Sequence, residues 1–207
     1  LAKTFESQIL REVDESLIEY SLNHNVFFKD PFQSKNYLSL DNLASSLTLY
    51  DSLIISIENQ NILSEVCYRL GEVQFKILHN FDTALLYFEK ALKANPNRLL
   101  KQMVIIRIVD IYIAKGNPEK GKVFLLMNEE TLTSDQVKEK TILCDMFIKS
   151  SSEIILNIDT LISEISLKNS FFNDLMELKV FLSKYSSEED QNKMALKYFI
   201  KSMYFVK

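Results

Sequence analysis

The chain has 207 residues, with 24 Lys+Arg against 28 Asp+Glu, for a formal net charge of −4. That balance lacks the basic footprint of a nucleic-acid or anionic-lipid binder, and no apolar run approaches the ~20 residues of a membrane span, so neither nucleic acid nor membrane insertion is expected. With 47% hydrophobic residues but only three glycines, three prolines and no tryptophan, the composition points to helices joined by short turns, because an all-β fold needs many more turn residues.

In chain order, the first predicted helix covers residues 3–21, with Phe5, Ile9, Val13, Leu17 and Tyr20 on one face. An irregular stretch follows over 24–39, containing Phe27-Phe28 and Asp30-Pro31. It is too long for a turn between paired helices, and is expected to be an insertion that either packs over them or stays mobile. Asp41 is placed to cap a helix ending near Ile57.

Residues 64–98 carry the strongest signal. Gly71 and Ala84 are small residues where two helices must approach closely. Asn80 and Asp82 stand where the second helix needs a cap, and Pro96 follows its last turn, which it cannot continue. Over 99–128, Gly116-Asn117-Pro118 supplies a helix end, a cap and a first-turn proline, and Gly121 is again small. Further pairs are predicted over 134–149 with 152–166, joined by Ser150-Ser151-Ser152, and over 170–184 with 187–205, where Ser187-Glu188-Glu189-Asp190 opens the last helix at its charge-favoured end.

Two echoes give the chain a period. Ala84-Leu85-Leu86-Tyr87-Phe88 recurs as Ala195-Leu196-Lys197-Tyr198-Phe199, three periods of about 37 residues later. Tyr50-Asp51-Ser52-Leu53-Ile54 recurs as Ile158-Asp159-Thr160-Leu161-Ile162, three periods of about 36 later. This pattern resembles the tetratricopeptide repeat family, whose unit is a ~34-residue helix–turn–helix. The matching positions are Leu70, Gly71, Ala84, Phe88, Ala91 and Pro96, then Tyr112, Gly116 and Gly121. The departures are Cys67 where the family favours Trp, Gln74 where it favours Tyr, and one extra residue near His79.

The resemblance implies an all-α fold: a right-handed superhelical solenoid of about four to five antiparallel helix pairs. It would run as a single array over 1–207, with its best repeats at 64–98 and 99–128. Degenerate pairs follow over 134–166 and 170–207, and an N-terminal pair over 1–57 carries the 24–39 insertion. Because the chain opens at Leu1 without methionine and stops inside a helical pattern at Lys207, it is expected to be a piece of a longer protein.

Catalytic signatures are missing from the sequence. It has no serine elbow between glycines, no phosphate-cradling glycine loop and no paired-Cys or His-Glu-x-x-His spacing. Its two histidines, His24 and His79, stand apart from each other and from cysteine. An enzyme is not expected, nor a metal or cofactor. Cys67 and Cys144 read as small buried hydrophobes, too distant to pair. Unpaired thiols favour a reducing compartment such as the cytoplasm, and a removed leader would instead fit the periplasm.

The expected function is that of an interaction scaffold. In an array of this kind the first helices line a concave face. With Cys67, Leu70, Gly71 and Gln74 turned to the second helix, the opposite side shows Glu65, Tyr68, Glu72 and Phe75. The corresponding set one unit on is Met103, Ile106, Asp110 and Ile113. Mixed aromatic, aliphatic and acidic side chains suit a peptide or amphipathic helix of another protein, or else a neighbouring helix of this one. Some members of the family clamp a terminal carboxylate with Asn, Lys and Arg, and here Glu65, Glu72 and Asp110 would repel it. The alternatives are end-to-end self-association through the last helix (Ala195, Leu196, Phe199, Met203, Phe205) and a regulatory repeat domain within a larger protein.

Overall fold

The computed structural model describes residues 25–28, 40–169, 171–185 and 190–204. The predicted helix over 3–21, most of the 24–39 insertion, the Ser187 helix start and Phe205 lie outside the described residues, as do the side chains of Asp41 and Met203. Every described element is helical, with no strand among the described residues. The chain divides into two compact units, one holding residues 40–111 of the described chain and the other residues 25–28 with the described part of 112–207.

The first unit contains α1 (Leu40–Ser56), α2 (Gln60–Lys76), α3 (Phe81–Lys93) and most of α4 (Arg98–Ala114). Asn59 caps α2 by accepting from the Asn61 and Ile62 N–H groups, and Asn80 caps α3 by accepting from Thr83. Of the two candidate caps for α3, the chain uses Asn80 and leaves Asp82 in the first turn, where its charge suits the helix dipole.

Helix α2 is buried on more than one side between Ser64 and Phe75, while its first turn stays exposed. On one side Val66 and Leu70 pack with Tyr50 of α1, and Val73 and Ile77 pack with Leu43. On another, Gly71 faces Phe88 of α3, so that a β-carbon on Gly71 would stand 2.5 Å from Phe88 Cε1. Two further contacts show that α3 doubles back along α2: the Ser64 hydroxyl donates to the Ala91 carbonyl (2.9 Å) at one end, and Phe75 meets Phe81 (5.9 Å between rings) at the other. Ala84, Phe88 and Ala91 are fully buried, Pro96 is buried, and Cys67 and Leu70 are nearly fully so.

The second unit contains α5 (Pro118–Met127), a 3-10 turn η1 (Glu129–Thr131), α6 (Ser134–Ile148), α7 (Ser151–Glu164), α8 (Phe172–Tyr185) and α9 (Asp190–Tyr204). Gly116 ends α4 in the left-handed region (φ 72°) that favours glycine, and Pro118 opens α5. Asn117 holds the cap position, but its side chain turns back to donate to the Lys115 carbonyl (3.1 Å) rather than capping. Gly121 is buried, and Tyr112 meets the Phe124 ring at 6.1 Å. Thr133 with Gln136, and Ser150 with Glu153, form reciprocal capping boxes that start α6 and α7.

Buried Asp145 of α6 ties three helices together. It accepts from Lys122 of α5, Lys149 just past the end of α6 and Asn157 of α7. Both cysteines are free and buried.

The two sequence echoes fare differently. Tyr50 and Ile158 are both buried, but Ala84 and Phe88 are buried whereas Ala195 and Phe199 are exposed. Helix α9 buries Leu196 and Ile200 instead, a stripe one residue further on. One residue is about 100° of helix rotation, enough to turn the echoed face outward.

Candidate functional site

The candidate site lies in the first unit, where the starts of α2 and α4 meet. Here an open depression of about 360 Å³ is lined by Asn61, Ile62, Glu65, Tyr68 and Arg69 from α2, with Asn97, Leu99, Leu100 and Met103 from α4 and its approach. Asn97 is held there as the cap of α4, its side-chain oxygen accepting from the Leu100 N–H (2.9 Å). Ile62, Leu99 and Met103 are large apolar side chains that remain exposed, Leu99 at 68%. The rim therefore joins aliphatic surface to one acid and one base.

Of the eight residues expected to line a groove, three (Glu65, Tyr68 and Met103) are at the depression. Ile106 is half-buried further along α4. The other four are placed elsewhere. Phe75 and Ile113 are fully buried, and Glu72 and Asp110 are buried carboxylates. Tyr68 itself is only marginally exposed, its ring 5.8 Å from that of Phe88. The sequence argument assigned α2 one face toward α3 and one toward open space. In the structure α1, α3 and α4 all pack on α2, and only its first half, from Asn61 to Arg69, reaches the open depression.

Further along α2 and α4 runs an ion network absent from the expectation. Arg107 Nε donates to Glu72 Oε1 (2.7 Å) and its Nη1 to Asp110 Oδ2 (3.0 Å), while Lys76 Nζ stands 2.8 Å from Glu72 Oε2. Two acids face two bases, so Glu72 and Asp110 present no acidic surface to a ligand. Burial alone would disfavour the Arg107 charge, but Glu72 and Asp110 more than offset it and hold the guanidinium charged more firmly than usual. Burial pushes the Tyr68 phenol up, the Glu72 carboxylate adds to this, and Arg107 and Arg69 oppose it. Arg107 was legible as an interruption of the apolar streak 103–113, three residues before Asp110. Its pairing with Glu72 needed the tertiary fold.

No group of three or more His, Cys, Asp or Glu side chains is set to hold a metal among the described residues, and no described helix is long and apolar enough to cross a membrane.

Known proteins add nothing to this picture. No protein-family model, no curated protein and no solved structure matches the chain at a significant level. The tetratricopeptide resemblance therefore rests on the residues that carry it.

Proposed function

We propose that the chain is a non-enzymatic protein-interaction scaffold, a solenoid of antiparallel helix pairs similar to tetratricopeptide repeats. It holds a peptide or helical segment of another protein across the starts of α2 and α4. The observation that carries this reading is the open depression with Ile62, Leu99 and Met103 exposed beside Glu65 and Arg69. Apolar anchors next to a few charges are what a short helical or extended ligand buries. The repeat part draws support from the close approach of Gly71 to Phe88. It draws further support from the Glu72–Arg107 pair, whose members stand 35 residues apart, about one repeat on.

The test is selection from a random peptide library on the full chain, followed by affinity measurement on point variants. Met103→Asp and Leu99→Asp should each weaken the selected peptides about tenfold or more, a loss of about 1.4 kcal/mol, with helix content unchanged. Unaltered affinity in both variants, or a library that yields no binder, refutes the reading. Asp110→Lys and Tyr68→Ala are poor probes, because both side chains are buried and their loss disturbs the core.

A second reading is self-association. Met194 and Tyr198, one helical turn apart on α9, are at least half exposed, with Phe199 beside them. Sedimentation across a concentration series should show dimers that Tyr198→Glu abolishes. A monomer at all concentrations rejects this reading.

A further inference from the structure

In the second unit, residues 25–28 are held on α8 and α9 in the manner of a bound peptide. Asn25 is fully buried. Its amide group donates to the Asp174 carbonyl (3.0 Å) and to Glu177 Oε2 (3.0 Å), while its Oδ1 accepts from the Phe27 N–H (3.0 Å). The Phe28 N–H donates to the Asn25 carbonyl (3.0 Å), so the four residues close a turn on themselves, with the Asn side chain standing in for backbone. The Val26 N–H reaches Asp174 Oδ2 at 3.4 Å.

This turn projects two adjacent aromatic rings into the helices. Phe27 lies 6.3 Å from the Phe171 ring. Phe28 stands edge-on to Phe181 at 4.9 Å and 6.1 Å from Phe199. Both are buried, yet the aromatic cluster continues to a rim where Tyr185 and Phe199 are about two-fifths exposed. Among the described residues the contacts comprise a self-made turn, one amide read by a carbonyl and a carboxylate of α8, and two aromatic anchors. In sequence the turn stands some 150 positions from the groups it contacts.

We propose that the α8–α9 face is a docking groove for a partner protein's segment of this same chemistry, a turn led by Asn with two adjacent aromatic residues at its third and fourth positions. Asn25–Phe28 fills it in cis. A partner reaches the groove only in molecules whose own turn is released, so its apparent affinity falls by that fraction. This groove is separate from the depression of the first unit, and either can fail without the other.

The experiment titrates a fluorescent peptide copying residues 21–30 into the full chain and into its Phe27→Ala, Phe28→Ala double variant. A control peptide carries alanine at both aromatic positions. The double variant should keep its helix content and bind the peptide at least about tenfold more tightly than the unsubstituted chain, and the control peptide should bind neither. Asn25→Asp sets a carboxylate against Glu177 and the Asp174 carbonyl without hollowing the aromatic cluster, and should also raise peptide affinity. A folded double variant that ignores the peptide overturns the proposal. So does loss of helix content in the double variant, which makes the turn a core element, or an Asn25→Asp chain with unchanged affinity. Dimers of the unsubstituted chain that the peptide dissolves would make a second copy the occupant, and overturn it as well.

Discussion

Gly71 of α2 and Phe88 of α3 are packed face to face: the ring edge of Phe88 occupies the space a side chain at position 71 would need. Phe88 is fully buried there, and burying a phenylalanine contributes about 1.5–3 kcal/mol. Gly71→Leu should therefore lower stability by about 1–3 kcal/mol through overpacking, read as a drop in melting temperature. Gly71→Ala gains up to about 1 kcal/mol of helix propensity and should lose less. Combining Gly71→Ala with Phe88→Leu should recover part of any loss, and strictly additive effects would show that the two residues do not share the contact.

Arg107 answers two buried carboxylates from one position, Glu72 on a neighbouring helix and Asp110 on its own. Arg107→Met removes one cation from two buried acids, of which Glu72 keeps Lys76, so the loss should stay below the roughly 3–5 kcal/mol of a fully broken buried pair. Urea denaturation should show this as a lower midpoint. Adding Glu72→Gln and Asp110→Asn should restore part of it. A stability within about 0.5 kcal/mol of the original would mean the network contributes little.

The phenol of Tyr68 is held above its ordinary range by burial and by Glu72. A group whose folded pKa is raised contributes stability that is intact below its unfolded value, about 10 for tyrosine, and that is lost as pH rises beyond it. Urea midpoints measured from pH 9 to pH 11 should fall, and Tyr68→Phe should flatten that decline while leaving neutral-pH stability nearly unchanged. An equally steep fall in the variant would assign the alkaline effect to other groups.

Ser150 starts α7 through a reciprocal box, its hydroxyl donating to Glu153 Oε2 at 2.6 Å while the Glu153 N–H reaches back at 3.4 Å. Ser150→Ala should cost about 0.5–2 kcal/mol. The Ser150 hydroxyl and then the Ser150 N–H hold the Glu153 carboxyl below its usual range. That contribution is present above about pH 4.3 and fades as pH falls through the folded value. Thermal melts between pH 5 and pH 3 should therefore show a shallower acid decline in Ser150→Ala than in the unsubstituted chain.

The helices were largely legible before any coordinates. Asn80, Gly116, Pro118, Ser150 and Pro96 act within one or two turns of themselves, so their effects follow from local backbone chemistry. The small residues Gly71, Ala84 and Gly121 were legible too, because a missing side chain inside an apolar pattern is itself a mark of close approach. The candidate site was less so. Glu65, Tyr68 and Met103 were found, but Asn61, Ile62, Arg69, Asn97, Leu99 and Leu100 were missed, since one helix's periodicity cannot show where a second helix begins beside it.

What the sequence alone determined is the all-helical character, the turn positions and the Gly71–Ala84 hairpin, all set by interactions among residues near one another in the chain. Only the tertiary structure decided that α1, α3 and α4 pack on α2, that Arg107 neutralises Glu72, and that Asn25, Phe27 and Phe28 seat on α8 and α9. Each of these joins groups distant in sequence, and such pairings are chosen by packing and desolvation in three dimensions, which no periodicity along the chain encodes.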